Sequence, residues 1–135
     1  MKTLAPSLPL AAAILLAYSD CHGTEAEMNA GYDTRNLNFR ADGPLPRDEA
    51  AALMQRAVPH GYNAFKANVL RKLPDDAQVI IAREGSVCVY VKGNPLSIRA
   101  VDAKAYGVNS EAHPELRADE ISYHAEKDET RIWWD

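Results

Sequence analysis

The period of the apolar residues changes at Pro74, and this change constrains the fold more than any other feature of the chain. Before Pro74 the spacing is helical. Residues 47–58 carry one apolar stripe, and residues 62–73 carry a second one that ends at the proline. After Pro74 the apolar residues alternate with a period of two, as in strands. Helices followed by hairpin strands predict an α+β fold: two N-terminal helices packed on one face of a small antiparallel sheet of about four to five strands.

Alternation and turn residues predict where the strands lie. Glycine and proline separate the apolar runs, at 83–85 and again at 92–95. The last two runs form a closing hairpin around 126–129, and the mixed stretch 102–119 predicts a long loop. The predicted strands cover 36–40, 78–82, 86–91, 96–101, 121–125 and 130–134.

The first residues of the chain predict export. Lys2 precedes an apolar run over 8–17 that is too short to span a bilayer. Ala17 and Ser19 supply the small residues that a signal peptidase requires before a cut at Asp20. We therefore expect a signal peptide over 1–19, a flexible tether over 20–34 and a single α+β domain over 35–135, located in the periplasm or secreted.

Two cysteines, Cys21 and Cys88, follow the predicted cut. In an oxidising compartment such a pair predicts a disulfide, and the alternative is a buried Cys88 beside a free Cys21. A lipid anchor on Cys21 is disfavoured, because Asp20 and Tyr18 do not suit the enzyme that processes bacterial lipoproteins.

The net charge narrows the choice of partners. The full chain carries a formal charge of −4, and its acidic residues are spread along the sequence. Nucleic acids and anionic membranes require a basic face, so neither is an expected partner. No run after the predicted cut is long and apolar enough to span a membrane.

Catalytic patterns are missing from the sequence. Cys88 has no local signature that pairs it with a histidine, and the adjacent carboxylates fall at turns and element ends. The histidines lack the spacing of metal ligands: His22, His60, His113 and His124. We therefore predict no catalytic residue, no metal site and no cofactor, and we interpret the chain as non-enzymatic.

The closing hairpin is the most distinctive surface element. Trp133 and Trp134 are adjacent on one strand, so they must point to opposite faces of the sheet. Ile132 alternates in phase with Trp134, which predicts that Trp134 points inward. Trp133 then points outward with Arg131, near His124 on the paired strand. Because Trp and Arg often anchor protein interfaces, Trp133, Arg131 and His124 are the predicted binding residues. The alternative is that the second tryptophan packs under the loop 102–119.

These expectations favour one class of function and leave others open. The leading hypothesis is a small exported binding module of the inhibitor or immunity type, acting on another envelope protein. A small-ligand-binding or envelope-stress module is the alternative, and a small hydrolase is a more remote third.

Overall fold

The computed structural model describes residues 8–21, 38–100 and 110–135. Within these ranges the chain forms two α-helices, four short 3-10 helices and a six-stranded antiparallel sheet. The predicted α+β class is confirmed. The α-helices are α1 (Leu8–Ala17) and α2 (Arg47–Ala57), and the strands are β1 (Asn38–Arg40), β2 (Leu45–Pro46), β3 (Gln78–Glu84), β4 (Ser86–Lys92), β5 (Glu120–His124) and β6 (Glu129–Trp134).

The strands follow the order β1-β3-β4-β6-β5, and the two-residue β2 also pairs with β3. This short strand takes the sheet beyond the four to five strands that were predicted. Gly85, with a φ of 71°, makes the tight turn between β3 and β4. The closing hairpin is confirmed as β5 and β6, which begin one residue earlier than predicted.

Helix α2 matches the first predicted helix. Pro46 precedes its first turn, where Asp48 and Glu49 lie near the positive end of the helix dipole. Its apolar stripe is buried as the spacing requires: Ala50, Leu53, Met54 and Ala57.

The second predicted helix, over 62–73, is largely wrong. Only Ala67–Lys72 is helical, as a 3-10 segment. Asn63 has a left-handed φ of 50°, and Tyr62 and Phe65 exchange backbone hydrogen bonds of 3.0 and 2.8 Å. This tight turn delivers Phe65 to the core, so the apolar spacing reflects a turn and a short 3-10 helix together.

The predicted strand over 96–101 is also wrong across its described residues, 96–100. The Asn94 side chain binds both backbone groups of Ile98, at 2.9 Å to its N–H and 2.8 Å to its carbonyl. These bonds fold the segment into a loop, because an asparagine can mimic a backbone turn. Only Ala100 forms an isolated bridge, to Tyr123. Val101 and the residues up to 109 lie outside the described ranges.

Alternation gives the sheet an inner and an outer face. Trp134 lies on the inner face and is fully buried, which confirms its predicted orientation. Its ring meets Phe65 edge-on at 4.9 Å between centroids, and its N–H donates to the Leu116 carbonyl at 2.8 Å. The inner face packs into one apolar core with residues of α1 and α2, and its members are Val79, Ile81, Val87, Val89, Val91, Ile121, Ile132 and Trp134.

Helix α1 coincides with the apolar run of the predicted signal peptide, and it contributes to the core. Ile14 and Tyr18 are fully buried, and Cys21 is buried with them. Asp20 and Cys21 belong to a short 3-10 helix over Ser19–Cys21, while residues 22–34 lie outside the described ranges, so the tether over 20–34 stays a prediction. Cleavage before Asp20 stays a prediction. Across the described residues, neither α-helix has the length and apolarity needed to cross a bilayer.

Candidate binding surface on the outer face of the sheet

Two neighbouring rows of side chains on the outer face of the sheet contain thiol, aromatic and charged groups. In one row Cys88 lies opposite Ala82 on β3 and opposite Trp133 on β6. In the next row Arg131 lies opposite Tyr90 on β4 and opposite Ser122 on β5. The strands thus place aromatic and charged residues side by side that are far apart in sequence.

Glu84 forms hydrogen bonds to residues of both rows, and we call Glu84 with these partners the outer-face hub. Its carboxylate accepts hydrogen bonds from Arg131 Nε at 2.9 Å, from the Tyr90 hydroxyl and from Cys88 Sγ at 3.3 Å. Its backbone carbonyl accepts a bond from Trp133 Nε1 at 3.0 Å. Burial acts to raise the pKa of Glu84, but the Tyr90 hydroxyl and the Arg131 guanidinium outweigh it and hold that pKa below its ordinary value.

A second ion pair borders the hub. Arg40 on β1 binds Glu129 on β6 through two bonds of 2.8 and 2.7 Å. The Glu129 side chain is only 3% exposed, and the hydrogen bonds from Arg40 hold its pKa below the ordinary value. The Arg40 guanidinium also lies 4.6 Å from the centroid of the Tyr90 ring, which is a cation–π distance.

Two guanidinium–aromatic pairs therefore stand next to each other. Arg40 lies over the Tyr90 ring, and Arg131 lies 5.8 Å from the centroid of the Trp133 ring. Arg131 also bonds Glu120 at 2.8 Å, so carboxylates hold both guanidinium groups in place. We call Arg40, Tyr90, Arg131 and Trp133 the outer-face patch.

The members of the outer-face patch differ in exposure. Arg40 is exposed, Tyr90 and Trp133 are half-buried, and Arg131 is buried. Arg131 therefore presents little surface to solvent, and its role as a binding residue stays a prediction. The outward orientation of Trp133 is confirmed, since it lies on the face opposite to Trp134.

His124 shares the outer face, but the prediction that it lies near Trp133 is wrong. Trp133 lies opposite Glu120, and His124 lies opposite Glu129 at the other end of β5. The four positions between Glu120 and His124 correspond to roughly 13 Å along a strand. The imidazole of His124 instead lies near Glu126, with 3.8 Å between Nδ1 and the carboxylate Oε1.

Sequence reasoning missed Arg40, Tyr90, Glu84 and Glu129. The sequence could have indicated that Tyr90 lies on the outer face, because it alternates in phase with Cys88 on a regular strand. Arg40 carries none. It meets Glu129 across 89 positions of sequence, and only the strand order brings the two together.

The structure does not contain the predicted disulfide between Cys21 and Cys88. Both are free, buried thiols. Cys21 contacts the inner-face Arg83, whereas Cys88 lies on the outer face against Glu84, so the two point to different sides of the sheet. Burial raises the pKa of Cys21 to about 11 and raises that of Cys88 well above its ordinary value. Both thiols are therefore protonated and unreactive at neutral pH. Cys88 is fully buried.

Other candidate sites are weaker. In the part of the chain that the structure describes, no three His, Cys, Asp or Glu side chains are grouped to hold a metal ion. His113 has a structural role: its Nε2 meets the Leu96 carbonyl at 2.8 Å and its Nδ1 meets Glu115 at 3.0 Å. An open depression of about 480 Å³ lies elsewhere, lined by Ala64, Ser110, Glu111, Pro114, Arg117 and Ala118.

The fold defines the class of this protein as α+β with an antiparallel sheet. The chain matches no family model, no curated protein and no solved structure. The geometry of the outer-face patch is therefore the main guide to function.

Proposed function

We propose that this chain is a small exported binding module without enzymatic activity, of the inhibitor or immunity type. It acts on another envelope protein through the outer-face patch. The observation that carries the proposal is the pair of adjacent guanidinium–aromatic stacks, Arg40 on Tyr90 and Arg131 near Trp133.

The residue types of the patch suit a protein interface. Trp, Tyr and Arg dominate the positions where truncation weakens protein complexes most. Here hydrogen bonds and ion pairs already hold these side chains, including the bond from Trp133 to the Glu84 carbonyl. A partner would therefore pay little conformational entropy to order them.

The electrostatics of the patch favour a protein partner over a polyanion. Glu129 binds Arg40, and Glu84 and Glu120 bind Arg131. These ion pairs neutralise the guanidinium groups, so the patch lacks the excess positive charge that nucleic acid binding needs. It offers planar aromatic and guanidinium surfaces instead.

Affinity capture with the full-length chain tests the proposal. The immobilised parent protein should recover a discrete protein from an envelope extract of the producing cells. Trp133→Ala should weaken the binding of that protein by at least about tenfold, which corresponds to roughly 1.4 kcal/mol. Arg40→Ala should also weaken binding, because it removes the exposed stack on Tyr90.

The matched control is Arg56→Ala, which removes an exposed arginine from α2 in the helical layer. It should leave binding unchanged. Equal recovery by the parent, Trp133→Ala and Arg40→Ala would show that the patch is not the interface. Urea unfolding of each variant separates lost contact from lost structure.

The small-ligand alternative has one observation in its favour, the depression of about 480 Å³ that Arg117 and Ser110 help to line. A thermal shift with a panel of small anions tests it. A rise in Tm that Arg117→Ala abolishes would favour this alternative, and no rise would leave the protein-binding proposal in place.

A further inference from the structure

Residues 8–21 dock into the domain although they read as an export signal. Tyr18 is fully buried, and its hydroxyl donates to the Ala82 carbonyl and accepts from the Cys88 backbone N–H at 3.4 Å. These contacts attach the segment to the backbones of the central strands β3 and β4. Ile14 and Ala17 are buried in the same core.

Arg83 clamps the segment on both sides of the predicted cut. Its Nη1 donates to the Ala17 carbonyl at 3.0 Å, and its guanidinium forms a two-point ion pair with Asp20. The Arg83 side chain is only 3% exposed and lies 5.0 Å from the centroid of the Tyr18 ring. Ala17 stands three residues before the cut and Asp20 directly after it, so one buried side chain fixes both ends of the cleavage sequence.

We propose that the folded chain conceals its own cleavage site, so that residues 1–19 are removed only before folding or after residues 8–21 detach. A peptidase must bind several residues around the cut in an extended form. Here Ala17 and Tyr18 are buried, and Arg83 holds both the Ala17 carbonyl and the Asp20 carboxylate. The proposal rests on the predicted cut before Asp20 and is independent of the proposed outer-face interface.

The chemistry of the cut also opposes reformation of the docked state. Hydrolysis of the Ser19–Asp20 amide adds water, which supplies the oxygen of a new Ser19 carboxylate and a hydrogen of a new Asp20 amine. At neutral pH that amine is an ammonium on the residue that pairs with Arg83. The new ammonium repels the Arg83 guanidinium whereas the new Ser19 carboxylate attracts it, so the main change is that the cleaved segment is no longer tethered to the domain.

A cleavage assay on the full-length chain tests the proposal. Purified bacterial signal peptidase should cut a synthetic peptide of residues 1–25 between Ser19 and Asp20, and it should cut the folded chain at least about tenfold more slowly. Arg83→Met removes the clamp without altering the cut sequence and should raise the cleavage rate of the folded chain. Arg71→Met, which removes an exposed arginine that pairs with Asp48 and Asn68 and does not contact the cleavage sequence, should not.

Thiol labelling provides a second readout with an internal control. Cys21 belongs to the docked segment and Cys88 to the sheet, and both are buried. Under native conditions Arg83→Met should speed iodoacetamide labelling of Cys21 by at least about tenfold and leave Cys88 protected. If both cysteines of Arg83→Met label together, the domain has unfolded. Tyr18→Phe, which loses only the hydroxyl bonds, then takes its place in both assays. Because Tyr18 lies within the cut sequence, its cleavage is compared with that of a peptide carrying the same change.

Three outcomes would overturn the proposal. The first is cleavage of the folded chain as fast as the peptide. The second is labelling of Cys21 in the folded parent as fast as in urea. The third is a peptide that the peptidase does not cut before Asp20. None of these bears on whether Trp133 binds a partner. The third outcome would also count against export, so the first two are the outcomes that separate this proposal from the proposed function.

Discussion

The two faces of the sheet are built from the same strands but are held by different interactions. The inner face is apolar apart from Arg83 and Thr130, and it is held mainly by packing against the helices. The outer face centres on Glu84 and is held by hydrogen bonds and ion pairs. Packing is non-directional, whereas each outer-face bond requires a particular partner at a particular distance. The inner face should therefore dominate stability, and the outer face should dominate specificity.

The two tryptophans at the end of β6 make this comparison within one strand. Trp134 is fully buried against Phe65 and bonds the Leu116 carbonyl. Trp133 is half-buried and bonds the Glu84 carbonyl. The same side chain thus fills the core at one position and forms part of a surface patch at the next.

The largest expected effect is the loss of the inner tryptophan. Trp134→Ala should lower the free energy of unfolding by about 3–5 kcal/mol, because it leaves a cavity beside Phe65 and an unpaired Leu116 carbonyl. Trp133→Ala should cost only about 1–2 kcal/mol, since it loses one hydrogen bond and a cation–π contact. Urea unfolding, followed by far-ultraviolet circular dichroism, measures both.

The proposed division between the two faces is contradicted if Trp133→Ala lowers the free energy of unfolding more than Trp134→Ala does. A Trp133→Ala variant that unfolds while Trp134→Ala is tolerated would show that the outer face, not the inner one, carries the fold. Trp133→Phe is a useful control, because it retains a ring but not the N–H that donates to Glu84.

The sequence predicted the inner face well because one-dimensional alternation is enough to define it. Ile132 and Trp134 share a phase, and their burial follows directly from that phase. The partners on the outer face depend on strand order instead. Arg40 reaches Glu129 only because β6 lies next to β4 rather than at the sheet edge.

Local backbone geometry explains why the helix over 62–73 and the strand over 96–101 were predicted wrongly. The apolar spacing of 62–73 resembles a helix, but Gly61 and Asn63 adopt positive φ angles that interrupt one. The Asn94 side chain likewise closes a loop where a strand was expected. His124 was misplaced because the hairpin register could not be fixed from the sequence alone.

An intermediate effect is expected from the outer-face hub. Glu84→Gln removes the charge that faces Arg131, but Arg131 keeps its bond to Glu120. The variant should therefore lose about 2 kcal/mol of stability rather than the full cost of an isolated buried charge. Arg131→Met combined with Glu84→Gln should cost less than the sum of the two single changes.

The single and combined changes at Glu84 and Arg131 form a double-mutant cycle. The exposed pair of Arg71 and Asp48 provides the matched control cycle. Its side chains are 43% and 59% exposed, and they meet at 3.0 Å. Double-mutant coupling between them should be about 0.5 kcal/mol or less, because water screens the pair. Equal coupling in both cycles would mean that the outer-face network contributes no more than an ordinary surface salt bridge.

The smallest expected effect is a loss of stability in acid from the Arg40–Glu129 pair. Glu129 has a folded pKa below its ordinary value of 4.5, mainly through the Arg40 hydrogen bonds. A carboxylate with a lowered pKa stabilises the folded state above its unfolded pKa, and this stabilisation is lost as the pH falls through the folded pKa. Glu129→Gln should therefore cost about 1 kcal/mol at pH 7, since Arg40 is partly exposed, and the difference from the parent should shrink below about pH 4.

Urea midpoints of the parent and Glu129→Gln between about pH 7 and pH 3 test this expectation. The exposed Glu111 provides the control, and Glu111→Gln should follow the parent at every pH. A constant gap between parent and Glu129→Gln would mean that the glutamate stabilises by shape rather than by charge. The outer face would then resemble the inner one, and the division between packing on one face and directed bonds on the other would no longer hold at this strand.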